Sequence, residues 1–387
     1  MYSLMLLIPE IMFRGETMKE RDIILSTKDL VIKFHLRGKI LTAIRGISLD
    51  IMEGESLAIV GESGSGKSVF TKSFMGLLDK NGWIDSGAIM YKTTNLAKFT
   101  CEKEWLTIRG KEIAMIFQEP MTALNPLKTI GKQIKEAVEL HQGLKGKKSK
   151  EEVIKILDDV GIDNPVKRYK QYPHEFSGGM RQRVVIAIAL ACKPKILICD
   201  EPTTALDVTI QAQILNLLKD LKRKYYLTTI YITHDLGVVA NVADRIAVMY
   251  SGDIVEVGML EEIFYKSQHP YTWALLSSLP QLGVKGQPLY SIKGTPPNLF
   301  YEIKGDAFAP RNPRALEIDF VEAPPYFDIS PTHKAKTWLL DPRAPKVEAP
   351  QVIRGMRKKS GGDNHGKQRS AIRSQKSHSQ LSKRKKE

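Results

Sequence analysis

A glycine-rich segment constrains the fold of this chain more than any other feature. It reads Gly61-Glu62-Ser63-Gly64-Ser65-Gly66-Lys67-Ser68 and follows the short apolar run of residues 56–60. This order predicts a buried strand, a tight loop and then a helix. Glycine lacks a Cβ atom and tolerates positive φ, so backbone N–H groups can approach phosphates closely. We therefore expect the segment to cradle nucleotide phosphates, with Lys67 at the β and γ phosphates and Ser68 on Mg²⁺.

Further apolar runs indicate the type of sheet. Residues 195–199 and 228–233 are compact and apolar, as buried parallel strands are. Because helical patterns separate such runs, the sequence predicts an α/β fold with a doubly wound parallel sheet. Apolar residues at helical spacing predict a mostly helical insert over about residues 101–186. After residue 266 prolines become frequent, which predicts a loop-rich second unit.

These patterns divide the chain into four expected parts. They are an N-terminal tail (1–20, with Met18 as an alternative start), a nucleotide-binding domain (21–266), a C-terminal extension (267–345) and a basic tail (346–387). The composition of the basic tail is typical of disorder. The N-terminal tail lacks a basic start and a small-residue cleavage site, so we expect no signal peptide.

Charge and cysteine content limit the class of protein. The 387 residues carry a formal net charge of +15, but residues 351–387 alone hold twelve Lys or Arg against two acidic residues. The remainder is only mildly basic, which argues against specific nucleic-acid binding. Three cysteines indicate reduced thiols rather than a disulfide framework. The longest apolar stretch, residues 184–192, is about half the ~20 residues that a membrane helix requires.

Two adjacent acids end one of the predicted strands. Asp200 and Glu201 follow the apolar run 195–199, where an open parallel sheet presents residues to its ligand. Asp200 can hold Mg²⁺ through water, and Glu201 can orient or polarise the water that attacks the γ-phosphate. The alternative is a solvated strand end or a helix cap.

An octapeptide distinguishes this chain from other nucleotide hydrolases. Phe176-Ser177-Gly178-Gly179-Met180-Arg181-Gln182-Arg183 resembles the signature of the ATP-binding cassette family. Gln118, Ala205-Leu206-Asp207 and His234 stand in the family's order. The resemblance implies a P-loop fold with a RecA-like parallel sheet, an antiparallel β subdomain and a helical subdomain. The signature octapeptide and His234 also argue against a general nucleotide kinase or GTPase.

The resemblance also implies roles for single residues. Ser177, Gly178 and Gly179 would serve the ATP of a partner subunit across a dimer, and Asp207 would line the dimer seam. Gln118 would sense Mg²⁺ and the attacking water, and His234 would contact the γ-phosphate. Phe34 is a candidate for stacking on adenine, or else a strand residue that faces the core.

Longer motifs narrow the resemblance to one branch of the family. They are Gln118-Glu-Pro-Met-Thr-Ala-Leu-Asn-Pro126, the run from Glu201 to Gln213, His269-Pro270-Tyr271 and Gly294-Thr-Pro-Pro-Asn298. Together they are similar to the D-type ATPase subunits of the oligopeptide and dipeptide permease branch. This implies an ATPase, with ATP and Mg²⁺, that powers oligopeptide import. The alternatives are a dipeptide or metal-chelate importer and, less favoured, a soluble ATPase acting on nucleic acid.

The branch implies a set of partners. They are a second, F-type ATPase subunit, two transmembrane permease subunits and, indirectly, an extracellular peptide-binding lipoprotein. The expected location is the cytoplasmic face of a bacterial membrane.

One departure from the branch concerns an iron–sulfur cluster. Many members hold a cluster with four cysteines in the extension, and here the equivalent places hold Asp306, Asn312, Asp319 and Thr337. Oxygen and amide groups cannot replace four thiolates. We therefore expect no cluster, as in Gram-positive versions, and an extension held by packing alone.

Overall fold

The fold combines two β-sheets with helices. The computed structural model describes residues 22–118, 123–204, 206–279, 291–351 and 353–355. Its strands are β1 (Ile23–Leu36), β2 (Lys39–Met52), β3 (Ser56–Val60), β4 (Gly82–Tyr91), β5 (Thr94–Asn95), β6 (Ile113–Ile116), β7 (Ile196–Asp200), β8 (Thr228–Thr233), β9 (Arg245–Tyr250), β10 (Asp253–Met259), β11 (Tyr326–Ser330) and β12 (His333–Lys336). Its α-helices are α1 (Lys67–Ser73), α2 (Glu102–Trp105), α3 (Ile130–Gln142), α4 (Gly146–Asp159), α5 (Pro165–Arg168), α6 (Gly178–Ala191), α7 (Val208–Tyr225), α8 (Leu236–Val242), α9 (Leu260–Lys266) and α10 (Pro270–Ser277). Within the described ranges, none of the helices has the length and apolar character needed to cross a bilayer.

The smaller sheet is antiparallel, with the strand order β2-β1-β4-β5. Its long hairpin turns at Arg37 and Gly38, whose φ angles are 51° and 74°. Leu36 pairs with Lys39, so the loop has two residues. Positive φ at both loop residues is the geometry that matches the twist of the flanking strands. The turn therefore fixes the register of β1 against β2.

The larger sheet has the order β11-β12-β10-β9-β3-β8-β7-β6. The five strands from β9 to β6 are parallel. Alternate residues of these strands enter two different hydrophobic cores: Val60 and Leu197 lie in one, Ile59 and Ile198 in the other. Both faces of the parallel strands are thus covered, which explains their continuous apolar runs. The predicted α/β fold with a parallel sheet is confirmed.

The two cores differ in what covers the sheet. The first core contains side chains of α3, α4, α6 and α7, such as Ile134, Ile156, Val184 and Leu218. In the second core, the antiparallel sheet and Phe70 of α1 pack on the opposite face. The range 101–186, predicted to be mostly helical, contains β6 as the edge strand of the larger sheet.

The C-terminal extension continues the larger sheet. Glu256 of β10 pairs with Ala335 of β12, and β12 pairs in turn with β11. Beneath this pairing, His333 Nε2 lies 2.8 Å from Glu256 Oε1, with both side chains buried. Backbone pairing and buried hydrogen bonds join the extension to the domain. The expectation that packing alone holds it is therefore wrong, because the sequence pattern does not reveal which strand β12 pairs with.

A matched pair of substitutions tests the assignment of the core. Leu218 in α7 is 1% exposed and Leu140 in α3 is 75% exposed. We expect Leu218→Ala to lower the free energy of unfolding by about 2–5 kcal/mol, because it leaves a cavity in the first core. Leu140→Ala, the same change on an exposed helix position, should alter it by less than about 0.5 kcal/mol. Urea unfolding followed by circular dichroism measures both, and equal losses would contradict this core.

Candidate nucleotide-binding and hydrolysis site

The glycine-rich segment forms the loop between β3 and α1. Gly64 and Gly66 have φ angles of 79° and 103°, which L-residues rarely adopt. A Cβ atom at Gly66 would lie 2.9 Å from Met249 Cε and 3.0 Å from the carbonyl oxygen of Ala43. The loop therefore needs glycine at this position for both its conformation and its packing. The result is a bare backbone surface, as phosphate binding requires.

Lys67 is the first residue of α1 and turns back over the loop. Its Nζ atom donates hydrogen bonds to the carbonyl oxygens of Gly61 and Glu62, at 2.9 and 2.8 Å. Burial of the side chain, which is 6% exposed, lowers the pKa of Lys67, and the negative charges of Glu201 and Asp200 oppose that shift. The ammonium group thus lies between the loop and two carboxylates.

Ser68 and Asp200 meet at the carboxyl end of β7. Ser68 Oγ donates a hydrogen bond of 3.1 Å to Asp200 Oδ1. Burial raises the pKa of Asp200, whose side chain is 5% exposed, while the hydrogen bond from Ser68 lowers it. A buried carboxylate beside a hydroxyl is a donor set that suits Mg²⁺. Within the described ranges, no group of three or more Asp, Glu, His or Cys side chains is arranged so that it could hold a metal ion. A magnesium ion here would therefore need phosphate oxygens and water as further ligands.

Three side chains converge on the carboxylate of Glu201. Gln118 Nε2 donates to Oε2 at 3.0 Å, and Thr204 Oγ donates to the same oxygen at 2.9 Å. His234 Nδ1 lies 3.0 Å from Oε1. The structure therefore brings together Gln118, Glu201 and His234, although 116 positions separate the first from the last.

The environment of Glu201 keeps the carboxylate ionised. Burial alone would raise the pKa of Glu201, but the hydrogen bonds with His234 and Thr204 outweigh burial, so the pKa lies below its ordinary value. The backbone of Glu201 has a φ of 45°, which is uncommon for a residue with a side chain. Such conformations cluster at functional sites, where surrounding contacts hold them. Here the N–H group of Glu201 donates to the carbonyl oxygen of Ile232 at 2.9 Å.

Thr204 is the member of this cluster that the sequence analysis did not single out. It follows Glu201 by three positions, within a turn in which Thr204 N–H donates to the carbonyl oxygen of Glu201. That turn returns the hydroxyl to the carboxylate. In the sequence, Thr204 stands out only as part of the run from Glu201 to Gln213, which gives it no role of its own.

The signature residues lie at the start of α6. Ser177 caps α6 by accepting a hydrogen bond of 3.4 Å from Met180 N–H, and Asp207 caps α7 in the same way through Ile210 N–H at 3.0 Å. A Cβ atom at Gly179 would lie 2.7 Å from Ile210 Cγ2, so the glycine permits the close approach of the two helices. Ser177, Gly178 and Asp207 are exposed.

Phe34 lies in the second core, and its role as an adenine partner stays a prediction. The side chain is 8% exposed and belongs to the second core. Its ring covers Gly82, where a Cβ atom would lie 2.4 Å from Phe34 Cε1. One part of the ring thus packs on Gly82 of the neighbouring strand β4. The alternative reading of Phe34, as a strand residue that faces the core, describes its position.

The four positions equivalent to cluster ligands have local hydrogen-bonding partners. Side-chain oxygens of Asp306, Asn312 and Thr337 each accept from the N–H group two residues later, and Asp319 Oδ2 accepts from Leu316 N–H. The three cysteines of the sequence, at 101, 192 and 199, all precede the extension. The residues of the extension therefore do not fit an iron–sulfur cluster.

Two family models match the chain. The first describes an ABC transporter and matches residues 44–204. The second describes the C-terminal region of oligopeptide/dipeptide transporters and matches residues 255–318. The matches include the phosphate loop, the Glu201 cluster up to Thr204 and the part of the extension that contains Asp306 and Asn312.

Individual proteins give the same family. The oligopeptide transport ATP-binding protein AmiE of Streptococcus pneumoniae is 58% identical over 88% of this chain and 96% of that protein. The dipeptide transport ATP-binding protein DppD of Lactococcus lactis is 55% identical over 84% of this chain and 93% of that protein. The ATP-binding cassette MJ0796, solved as a dimer in a post-hydrolysis state with ADP and Pi, matches with a TM-score of 0.54 and 28% identity, over 61% of this chain and 98% of that one. The chain therefore belongs to the ATP-binding cassette family, in its oligopeptide/dipeptide transporter branch.

Proposed function

We propose that this chain is the D-type ATPase subunit of a bacterial importer for oligopeptides. The observation that carries the proposal is the Glu201 carboxylate, held by Gln118, Thr204 and His234 beside a phosphate loop. Relatives named for oligopeptide transport support the substrate, and those named for dipeptide transport keep a dipeptide importer as the second candidate. Uptake of labelled di- and hexapeptides by cells that carry the complex separates the two.

ATP binding rests on the loop and Lys67. Backbone N–H groups from Gly61 to Ser68 would face the phosphates, as the positive φ angles of Gly64 and Gly66 allow. Lys67 Nζ now shares its protons with two carbonyl oxygens of the loop. Phosphate oxygens carry more negative charge than those carbonyls, so they are the stronger acceptors for an ammonium group. Lys67 would therefore turn toward the β and γ phosphates.

Ser68, Asp200 and Gln118 would hold Mg²⁺ together with phosphate oxygens. Ser68 Oγ and Asp200 Oδ1 already lie 3.1 Å apart, so both can face one ion, Asp200 through a water molecule. Magnesium neutralises phosphate charge when it is bound. Burial raises the pKa of Asp200 and so disfavours its charged form. A bound magnesium ion would stabilise that charged form.

Glu201 is the proposed general base. Its two oxygens offer about four acceptor sites, and Gln118, Thr204 and His234 use three of them. One acceptor site remains for the attacking water, whose proton passes to the carboxylate as the oxygen bonds to the γ-phosphorus. A glutamate is ionised at neutral pH, and the lowered pKa of Glu201 is consistent with the carboxylate form that a base requires. His234 in its protonated form has a donor on each ring nitrogen, so it can bridge Glu201 and the γ-phosphate.

The signature residues would complete a second ATP site across a dimer. Ser177 and Gly178 are exposed at the start of α6, and Asp207 is exposed just before the start of α7. The two helix starts are close to each other, because Gly179 of α6 packs on Ile210 of α7. A helix that begins with exposed N–H groups binds anions well. The related cassette MJ0796 forms a dimer, which supports this arrangement. The proposed mate is an F-type ATPase subunit.

The remaining partners follow from the branch. Two transmembrane permease subunits would receive the closing motion of the dimer, and an extracellular peptide-binding lipoprotein would deliver the peptide. Gln118, which the family resemblance links to the membrane partner, precedes residues 119–122, which lie outside the described ranges.

With permease subunits as partners, the chain would lie at the cytoplasmic face of the membrane. Nucleic acid would not be a specific partner.

Glu201→Gln tests the general base. We expect ATP hydrolysis by the assembled complex to fall at least about a hundredfold, because the amide cannot accept the proton of water. ATP affinity should stay within about threefold, since Glu201 contacts water rather than the phosphates. Phosphate release and equilibrium binding of MgATP measure the two effects. The matched control is Glu261→Gln at an exposed position of α9, which should hydrolyse ATP at the wild-type rate. Unchanged hydrolysis in Glu201→Gln would remove Glu201 from this role.

Ser177→Arg tests the proposed dimer. The isolated chain should bind MgATP as well as the wild type does, because Ser177 caps its own helix and is assigned to the partner's nucleotide. Hydrolysis by the assembled complex should fall at least about tenfold, because the larger side chain blocks the partner's nucleotide. Ser86→Arg, an exposed change in β4, is the control and should alter neither measurement. A loss of ATP affinity in the isolated Ser177→Arg chain would contradict the assignment of Ser177 to the partner's site.

A further inference from the structure

Glu62, the second residue of the phosphate loop, is held by two residues of the C-terminal extension. Arg311 Nη1 donates to Glu62 Oε2 at 2.7 Å, and Arg311 Nη2 donates to Oε1 at 3.1 Å. The N–H group of Glu62 donates to Tyr271 Oη at 2.8 Å. The side chain and the backbone of one loop residue are thus both fixed from outside the loop.

Arg311 has its own anchors in the extension. Its Nε atom donates to the carbonyl oxygen of Lys293 at 3.0 Å, and Nη1 also donates to Tyr250 Oη at 3.2 Å. The side chain is 5% exposed. A guanidinium with its donors fixed at several points cannot move to another partner without losing them. The bidentate pair with Glu62 is therefore a fixed contact and not a mobile surface ion pair.

An aromatic cluster supports the same contact. The rings of Tyr250, Tyr271 and Phe308 lie 4.5–5.3 Å apart between centroids and are buried. The guanidinium of Arg311 lies over the ring of Tyr250, at 5.8 Å. Tyr250 ends β9 of the nucleotide-binding domain, whereas Tyr271 and Phe308 belong to the extension. The cluster makes the loop, the sheet and the extension one packed unit.

The charge of Glu62 makes this contact relevant to ATP. Glu62 lies in the loop that would face the phosphates, and its carbonyl oxygen accepts from Lys67 Nζ. An unpaired carboxylate at this place would repel the negative charges of ATP and could compete for Lys67. Arg311 pairs with both carboxylate oxygens and so neutralises this charge.

We propose that Arg311 and Tyr271 are positioning residues for ATP binding, which act by holding Glu62 so that the phosphate loop can accept the nucleotide. The inference rests on the proposed function of this loop. It assigns to the C-terminal extension a part in the ATP site. Neither residue contacts Glu201 or its partners, so the effect should appear in nucleotide affinity and not in the chemical step.

The test compares Arg311→Ala, Arg311→Lys, Glu62→Gln and the double variant Arg311→Ala with Glu62→Gln. In the assembled complex, Arg311→Ala should raise the KM for ATP about tenfold and leave kcat within about twofold. Arg311→Lys keeps the charge but loses the bidentate geometry, so its KM should be intermediate. The double variant should have a KM within about threefold of Glu62→Gln alone, because no carboxylate is then left unpaired. Tyr271→Phe, which removes only the hydroxyl acceptor, should raise the KM about threefold.

Arg343→Ala is the matched control, because Arg343 is an exposed arginine of the extension whose ion pair is with Asp341. It should leave both constants unchanged. A wild-type KM in Arg311→Ala would overturn the proposal. So would an equal rise in KM when Glu62 is already Gln, because Arg311 would then act on the extension as a whole. Melting temperatures identify a variant that is simply unfolded. If Arg311→Ala is unfolded, the KM values of Arg311→Lys and Tyr271→Phe test the proposal instead.

Equilibrium binding of a non-hydrolysable MgATP analogue to the purified full chain separates this proposal from the function itself. Arg311→Ala should weaken that binding about tenfold relative to wild type. Binding needs no hydrolysis, so this measurement tests the role of Arg311 even if the wild-type complex does not hydrolyse ATP. A wild-type complex that fails to hydrolyse ATP would count against the proposed ATPase function alone.

Discussion

Parallel pairing in the larger sheet is the constraint on which the site depends. It brings the carboxyl ends of β3, β6, β7 and β8 to one edge, where the phosphate loop, Gln118, Glu201 and His234 follow them. The hydrogen bond from Glu201 N–H to the carbonyl oxygen of Ile232 ties the end of β7 to β8, two residues before His234. The sheet register thus sets the distance between Glu201 and His234. Loops alone could not hold these side chains within hydrogen-bonding distance.

The site is complete on one side and open on the other. The groups proposed to bind phosphates and activate water belong to a single chain and already contact each other. Ser177 instead caps its own helix at an exposed surface, and the exposed Gly178 is the first residue of that helix. A nucleotide in the phosphate loop would therefore meet the chemical groups of its own chain, and the exposed helix start would be available to the nucleotide of a second subunit. Under the proposed function, this difference would let one chain bind ATP by itself while turnover would need a mate.

Local motifs were the part of the site that could be predicted from sequence. The phosphate loop and Asp200 were found because strand, loop and acid are adjacent in the chain. The sequence left two roles open for Phe34, because a strand pattern does not show which face of β1 is covered. In the structure its ring lies over Gly82. Thr204 was overlooked because only the turn after Glu201 brings its hydroxyl back to the carboxylate. The parallel sheet followed from apolar runs, whereas the β10–β12 pairing depends on contacts between distant residues.

The C-terminal extension has no cysteines, and hydrogen-bonded turns hold its Arg311 guanidinium in place at Glu62. Arg311 ends the short turn Ala309–Arg311, in which Ala309 N–H donates to the carbonyl oxygen of Asp306 and Asn312 N–H donates to that of Ala309. Asp306 and Asn312, two of the positions equivalent to cluster ligands, also bind the N–H groups two residues later. Hydrogen-bonded turns on both sides of Arg311 therefore fix its backbone. Since the guanidinium reaches Glu62 from that backbone, the order of these turns is transmitted to the phosphate loop.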